Sequence, residues 1–388
     1  MKLTPTKTTL TSLLLTLLVA GLAPMHATHA AENSVVFAIE PTKDFPRNSE
    51  GSFVTLKSGR IVYFYTQFYG GARDHSPARI VAIQSDDEGR TWDANPRTIV
   101  ENPAGSDQPG SNVMSVSLLR LKSGRIALFY LKKNSWLDCL PYMQFSDDEA
   151  QTWTEPKLMI PAPGYFVMNN DRVIQHSSGR LIAPFAFHRT RDTDPNSGKS
   201  FDERAIAMWY VSDDEGKTWT EAPQWLALSV PATRTGLQEP GVVELGDGSL
   251  FTWARTDQGA QYETRSSDIG KTWSAVVAGE MKSPTSPASI ERLPGSDDLL
   301  GVWNDHSGQF PMVAGKRTTL IAAISKDGGR TWPQRKLIEG DLDGWYCYTA
   351  IHFVKGAVLL AYCAGDSKVG GLNRLRIRRV GLDWLTAN

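Results

Sequence analysis

A chain of 388 residues has room for one large repeat domain or two ordinary ones. Hydrophobic content of 41% and charged content of 21% describe a globular protein and exclude an intrinsically disordered one. The formal net charge is −1, or −3 without a leader carrying Lys2 and Lys7; this excludes a polyanion-binding surface, and no basic stretch would neutralise a nucleic-acid backbone.

Residues 1–30 read as a secretory signal peptide. Lys2 and Lys7 supply its positive region, and residues 10–23 are largely apolar but short for a bilayer. Small residues follow and place cleavage after Ala30 or Ala31. No Cys follows the apolar run, which argues against a lipid anchor, and no later segment is long and apolar enough for a membrane span. The expectation is a protein exported to a periplasm or the extracellular space, with residues 31–388 forming one domain.

Next comes a repeated pair of signals. The first is a tight turn between apolar runs: LKSGRIVYFY (56–65), LKSGRIALFY (121–130), HSSGRLIAPF (176–185), LGDGSLFTW (245–253), LPGSDDLLGVW (293–303) and FVKGAVLLAY (353–362). Ser-Gly and Asp-Gly between β-prone runs mark hairpins. The second is Ser-x-Asp-x-Gly-x-Thr-Trp, at 85–92, 146–153, 212–219, 266–273 and 325–332, with Ala150 replacing Gly in the second copy. The copies lie 54–66 residues apart, the period of one supersecondary unit used repeatedly. Four antiparallel strands per unit, six units in all, predict an all-β six-bladed β-propeller with five of these turns. The run LRIRRVGL (375–382) lacks the motif, and an early strand at 35–39 is expected to complete the last blade and close the ring.

The motif itself reads as structural. Its Asp and Ser/Thr side chains fold onto nearby backbone N–H groups, and its Trp covers the hairpin. Cys139, Cys347 and Cys363 are too few for a disulfide framework and have no zinc spacing. Buried thiols and a Cys347–Cys363 bond both remain open. No motif calls for a metal or a cofactor.

In an up-and-down blade the tight turns and Trp motifs share one face, so loop-built chemistry belongs on the other. Reading only that face gives Arg47-Asn48-Ser49-Glu50, Arg73-Asp74-His75, Asn169-Asn170-Asp171-Arg172, His188-Arg189, Gln238-Glu239-Pro240, Arg255, Asn304-Asp305-His306, Arg317 and Tyr346-Cys347-Tyr348. Charged side chains that converge near an axis must be paired or face a ligand. Several Arg together favour an anionic group, and carboxylates beside them favour acid/base work. Solvated loops and structural ion pairs are the plain alternative for any one of them.

On these five Asp-box motifs, six hairpins and face residues, the chain resembles the sialidase (neuraminidase) superfamily over nearly all of residues 35–388. The resemblance implies a Tyr nucleophile helped by Glu, an Asp acid/base, and three Arg on the substrate carboxylate. It implies Glu239 and Arg255 from QEPGVVELGDGSLFTWART, Arg317 before its strand and Asp-box, Tyr348 in CYTAI, and Asp74 in the first 2–3 loop. Two departures stand out. The first Arg normally sits in Arg-Ile-Pro, and the nearest candidate here is Arg47 in PRNSEGSF. The late Glu that supports this Arg is replaced by Tyr362-Cys363. Glu50, Asn170, Asp171 and Arg172 fall outside the family pattern. They are expected to shape a pocket for a different acidic sugar, or Glu50 or Asp171 serves as the working carboxylate and Tyr348 as a binding residue.

The implied activity is that of an exported exo-glycosidase releasing a terminal acidic sugar such as sialic acid from a glycan, with retention. Two alternatives stay open: an enzyme that hydrolyses or eliminates uronate-containing polysaccharide, and a non-catalytic glycan-binding propeller.

Overall fold

The structure is a computed structural model, and it describes residues 1–4, 32–102 and 111–387. The expected signal peptide at 1–30 lies outside the described residues except for its first four, which have no regular structure. Everything below concerns the compact unit Ala31–Asn388.

That unit is built from antiparallel sheets. The first contains Arg47–Thr55, Ile61–Phe68, Ala78–Ser85 and Arg97–Val100, paired in sequence order. Gln238–Glu244 to Val277–Lys282 form another four-stranded sheet, and Ser289–Arg292 to Lys336–Glu339 a third. Trp345–Val354, Ala357–Gly365 and Leu375–Gly381 form the last, whose outer strand is the N-terminal Asn33–Ile39. The early strand therefore does complete the final sheet.

One feature differs from the expectation of separate four-stranded units. Residues 112–221 make a single nine-stranded sheet. Two antiparallel groups are joined in it by one parallel bridge, Tyr165 to Cys139. The segment entering the second group is broken into Tyr165–Val167 and Ile174–Gln175, and residues 168–173 leave the ladder between them.

The core is a set of wedges between successive sheets. Val54, Phe64 and Ile80 pack on Val116 and Leu128; Ile182 and Trp209 on Leu250; Phe251 and Trp253 on Ile290 and Leu299; Leu300 and Val302 on Leu360; Leu359 and Ile377 on Tyr63 and Val81. The inner strands of neighbouring sheets touch in cyclic succession.

The Asp-box turns repeat one hydrogen-bond pattern. The Ser hydroxyl accepts from the backbone N–H four residues on, at 2.9 Å for Gly89, 2.8 Å for Ala150 and 2.8 Å for Gly329. The Asp carboxylate accepts from the Thr N–H and from its hydroxyl, at 2.8 and 2.7 Å for Asp87 and Thr91. Each motif Trp enters a wedge, as Trp273 does by stacking on Trp209 at 4.0 Å. All three cysteines are buried free thiols, and Cys347 lies opposite Cys363 across the ladder.

Candidate functional site

The inner strands share a device that positions the site. Their pairing slips between Ser49 and Ser52, Met114 and Ser117, Gln238 and Gly241, and Cys347 and Ala350. At each slip one non-glycine residue takes a left-handed backbone: Glu50 (φ 53°), Ser115 (φ 60°), Glu239 (φ 47°) and Tyr348 (φ 60°). Asp171 (φ 58°) does the same in the segment between the two short strands 165–167 and 174–175. A β-bulge of this kind re-aims a side chain at the cost of local strain of about 1 kcal/mol or more. Four of these five side chains, those of Glu50, Ser115, Glu239 and Tyr348, line one cavity of about 810 Å³.

On one wall stand Tyr348, Glu239, Arg255 and Arg317. The Tyr348 hydroxyl donates to Glu239 Oε1 at 3.5 Å, and Arg255 Nη1 donates to the same oxygen at 2.8 Å. The Arg317 guanidinium lies 5.2 Å from the Tyr348 ring centre. Its backbone carbonyl accepts from Tyr346 N–H at 2.8 Å, which fixes it against the start of the last sheet. Burial and the Glu239 charge push the Tyr348 phenol far above its usual range, against the pull of Arg317 and Arg255. The phenol is therefore neutral and needs a base to react.

Asp74, Glu50 and Ser115 also line the cavity, and Arg47 is fully buried against Asp74 and Glu50. Arg47 Nη1 donates to Asp74 Oδ1 at 2.5 Å and Nη2 to Glu50 Oε1 at 3.3 Å, while the Ser115 hydroxyl donates to Glu50 Oε2 at 3.2 Å. Burial works to raise Asp74, but the charges of Arg47 and Lys133 and the Arg47 hydrogen bond hold it well below the carboxylate range. Glu50 goes the other way. Burial raises it to about 7, although Arg47 and Lys133 pull it down. Where the family's late Glu is missing, Glu50 supplies a carboxylate to Arg47, and Cys363 sits nearby.

Asn170, Asp171 and Arg172, expected on the active face, are not cavity-lining residues. Most of their polar groups tie inner strands together, although Asn170 Oδ1 and Arg172 Nε have no partner. Asp171 accepts from the Ser52 hydroxyl at 2.7 Å and from Ile351 N–H at 3.0 Å. Asn170 Nδ2 donates to the carbonyls of Gly51 (2.8 Å) and Tyr348 (3.1 Å). Arg172 Nη2 donates to Ala288 O at 2.7 Å, and its N–H to Ser117 Oγ at 2.9 Å. Asn304, Asp305 and His306 are likewise outside the lining, with Asp305 paired to Arg335 at 3.2 Å.

His75 and His188, expected on the active face, do line the cavity, and a further part of the lining, Lys133, Trp136, Tyr165 and Phe201, has no counterpart among the residues the sequence points to. Lys133 has a usable signal. Along Ile126–Lys133 it shares a face with Ala127, Phe129 and Leu131, so a charge sits on a buried stripe. His188 donates from Nδ1 to Asp202 O at 2.9 Å, and burial holds its pKa down at about 4, leaving it neutral. Among the described residues no cluster of His, Cys, Asp and Glu is arranged to hold a metal ion.

Comparison with known proteins adds a context to this geometry. A model of the BNR repeat-like domain matches residues 64–359. An anhydrosialidase of Macrobdella decora is 31% identical over 176 residues, covering 41% of this chain and 20% of that protein. The chain thus matches about a fifth of that relative's length. A leech intramolecular trans-sialidase complexed with 2,7-anhydro-Neu5Ac superimposes with a TM-score of 0.69 at 16% identity, over 91% of this chain and 71% of that one. The intramolecular trans-sialidase of Ruminococcus gnavus with oseltamivir carboxylate gives 0.66 at 16% identity, over 92% and 99%. At such identities the likeness to solved structures is one of fold.

Proposed function

This chain belongs to the BNR repeat-like domain family of the sialidase superfamily, and we propose that it is an exported exo-glycosidase that releases a terminal acidic sugar from a glycan. The observation that carries the proposal is the Tyr348–Glu239–Arg255–Arg317 cluster in one wall of the cavity. We read the scaffold as a six-bladed propeller, its nine-stranded sheet counting as two fused blades.

A 2-keto sugar acid carries a carboxylate on its reacting carbon. A carboxylate nucleophile would be repelled there, whereas a Tyr hydroxyl deprotonated by Glu is not, and sialidases are the known Tyr exception among glycosidases. In this reading Tyr348 attacks and Glu239 takes its proton. Arg255 and Arg317 hold the substrate carboxylate, each contact contributing about 1.5–3 kcal/mol. Two steps, attack and hydrolysis, give net retention.

Arg47 enters through exchange. Asp74 occupies its guanidinium in the free protein. An incoming substrate carboxylate competes for that guanidinium and releases Asp74. Freed of its cation, Asp74 regains proton affinity and serves as the acid at the leaving oxygen, then as the base for water. Asp74 suits this motion because its side chain is 58% exposed while Arg47 is 1% exposed.

The test is release of the fluorophore from a panel of acidic-sugar glycosides, with the products identified by mass and ultraviolet absorbance. A free acidic sugar is the expected product. An anhydro sugar would move the reading to intramolecular transfer. An unsaturated, ultraviolet-absorbing product would move it to elimination on uronates. No product from any acidic sugar, with binding retained, would leave a glycan-binding propeller.

A further inference from the structure

The cations in and behind the cavity outnumber what one substrate carboxylate balances. Arg47, Lys133, Arg255 and Arg317 face the carboxyl groups of Asp74, Glu239 and Glu50, the last raised by burial to about 7. Of the exposed lining residues, Arg234 pairs with Asp257 at 3.9 Å. The surplus is concentrated at Lys133, away from the Arg255–Arg317 wall in both sequence and sheet. Lys133 is 5% exposed and lines the cavity. Its ammonium donates to the Asp74 carbonyl at 3.0 Å and lies 5.8 Å from the Tyr165 ring centre. Burial opposes its charge, and the Asp74 carboxylate favours it. The carboxylates near it, Asp74 and Glu50, are shared with Arg47, so this buried ammonium is only partly neutralised and an added anion would complete it.

The surroundings of Lys133 describe the rest of that ligand. Trp136 stacks on His75 with ring centres 3.7 Å apart, and Phe201 meets Tyr165 edge-on at 4.8 Å. These rings form a rigid apolar wall beside the cation, a surface that suits the C–H face of a sugar ring. Arg255 and Arg317 come from the sheets at 238–282 and 289–339, and Lys133 with its aromatic neighbours from the sheet at 112–221, so the cavity suits a glycan with two negative charges.

We infer that Lys133, with the Trp136, Tyr165 and Phe201 rings, forms a second anion subsite that takes a further acidic group of the substrate, either a second acidic sugar or a sulfate ester. This rests on the glycosidase reading for the position of the first acidic sugar. The ligand is thus a glycan with two negative charges, and singly charged glycans are its poorer relatives.

The test measures binding by calorimetry in a Tyr348→Phe background, so that no turnover contributes heat. The probes are sialyllactose, its 6-sulfated form and disialyllactose. The doubly charged probes are expected to bind about 10- to 100-fold more tightly, the range of one charge-assisted contact. Lys133→Met removes that preference and Lys133→Arg retains part of it; sulfate against second sugar identifies which group the subsite takes. Equal affinity for all probes, or no binding of any, overturns the inference. So does a Lys133→Met variant that weakens all three by the same factor, because Lys133 then only anchors the Asp74 loop. A preference that survives in a protein whose native form hydrolyses nothing would keep the subsite and remove the hydrolase.

Discussion

Two residues in the cavity make opposite demands on protons. Tyr348 is neutral because burial and the charge of Glu239 oppose its ionisation, so in the proposed mechanism attack depends on Glu239 as base. Replacing Tyr348 by Phe leaves shape and burial intact and removes only the hydroxyl. The loss in kcat is expected to be on the order of 10³-fold or more, the scale on which a nucleophile counts. A steady-state assay on the released fluorophore reads it, and near-full turnover would reassign Tyr348 to binding. Glu50 gives a pH prediction. Its pKa rises from 4.5 in the unfolded chain to about 7 in the fold, so the folded state favours the protonated form. This stabilisation is complete below about pH 4.5 and disappears as pH rises through 7. At about 1.4 kcal/mol per unit the span is on the order of 3–4 kcal/mol. His188 and His352 run the other way, since burial holds both near 4 and their stability is lost on acidification. The readout is therefore a difference. Glu50→Gln should be stabilising relative to the native protein at pH 8, with the gain shrinking toward pH 5. A pH-independent difference between the two denaturation midpoints would contradict it.

The elements differ in how visible they are to a reader of the sequence. An Asp-box turn is local: its Ser, Asp, Gly and Thr bond to one another within a few residues, so the turn is legible as a string. The bulges are not. RNSEGSF, QEPGVVE and CYTAI share no composition, yet each holds one residue at positive φ because pairing with the next strand slips there. Only the partner strand defines the slip. That is why topology places Glu239 and Tyr348 on the active face while their roles rest on the resemblance alone; Lys133 lies outside the slips and shows only as a charge on an apolar stripe. The same string explains the one irregular Asp-box. Ala150 stands at φ 64° where the other copies have Gly, and its methyl is buried among Phe64, Leu128 and their neighbours. Left-handed strain of about 1 kcal/mol is offset by burial of a methyl group at about 0.8 kcal/mol. Ala150→Gly should thus change stability by less than about 0.5 kcal/mol. Gly329→Ala should not be neutral, because its Cβ would lie 2.5 Å from the Phe251 ring at φ 84°. A cost of roughly 1–3 kcal/mol is expected from overpacking in chemical denaturation. Equal effects in the two turns would show that wedge packing is irrelevant to them.

For the whole molecule, the site depends on inner strands contributed by sheets far apart in sequence, and this makes closure of the ring a functional matter. The closure was legible, since a β-prone stretch at 35–39 had no other partner and the last sheet lacked a strand. Asn33–Ile39 pairs with Leu375–Gly381 from Asn33 opposite Val380 to Ile39 opposite Leu375. Val36, Phe37 and Ile39 pack on a wedge containing Tyr63, Val81, Leu359 and Ile377, so the strand ties the last sheet to the first. Polar links accompany it: Arg374 with Glu40 at 2.8 Å, Arg378 Nη1 with Asn33 Oδ1 at 2.8 Å, and Arg379 with Glu32. The apolar part should dominate. Glu40 is 58% exposed, and such a bridge is worth about 0–1 kcal/mol. Three half-buried apolar side chains contribute on the order of 3–5 kcal/mol. Glu40→Gln is therefore expected to move Tm by no more than about 2 °C, whereas a chain beginning at residue 41 should lose roughly 5–10 °C against one beginning at residue 32. The shortened chain also leaves Leu375–Gly381 as an open edge, so it should self-associate at concentrations where the longer one does not. Because Arg47, Glu50 and Tyr348 sit on the two sheets that this strand fastens together, sugar-acid affinity should fall along with Tm. Unchanged affinity in a shortened chain of lower Tm would mean that the hub hydrogen bonds of Asn170 and Asp171 hold those two sheets in place without the strand.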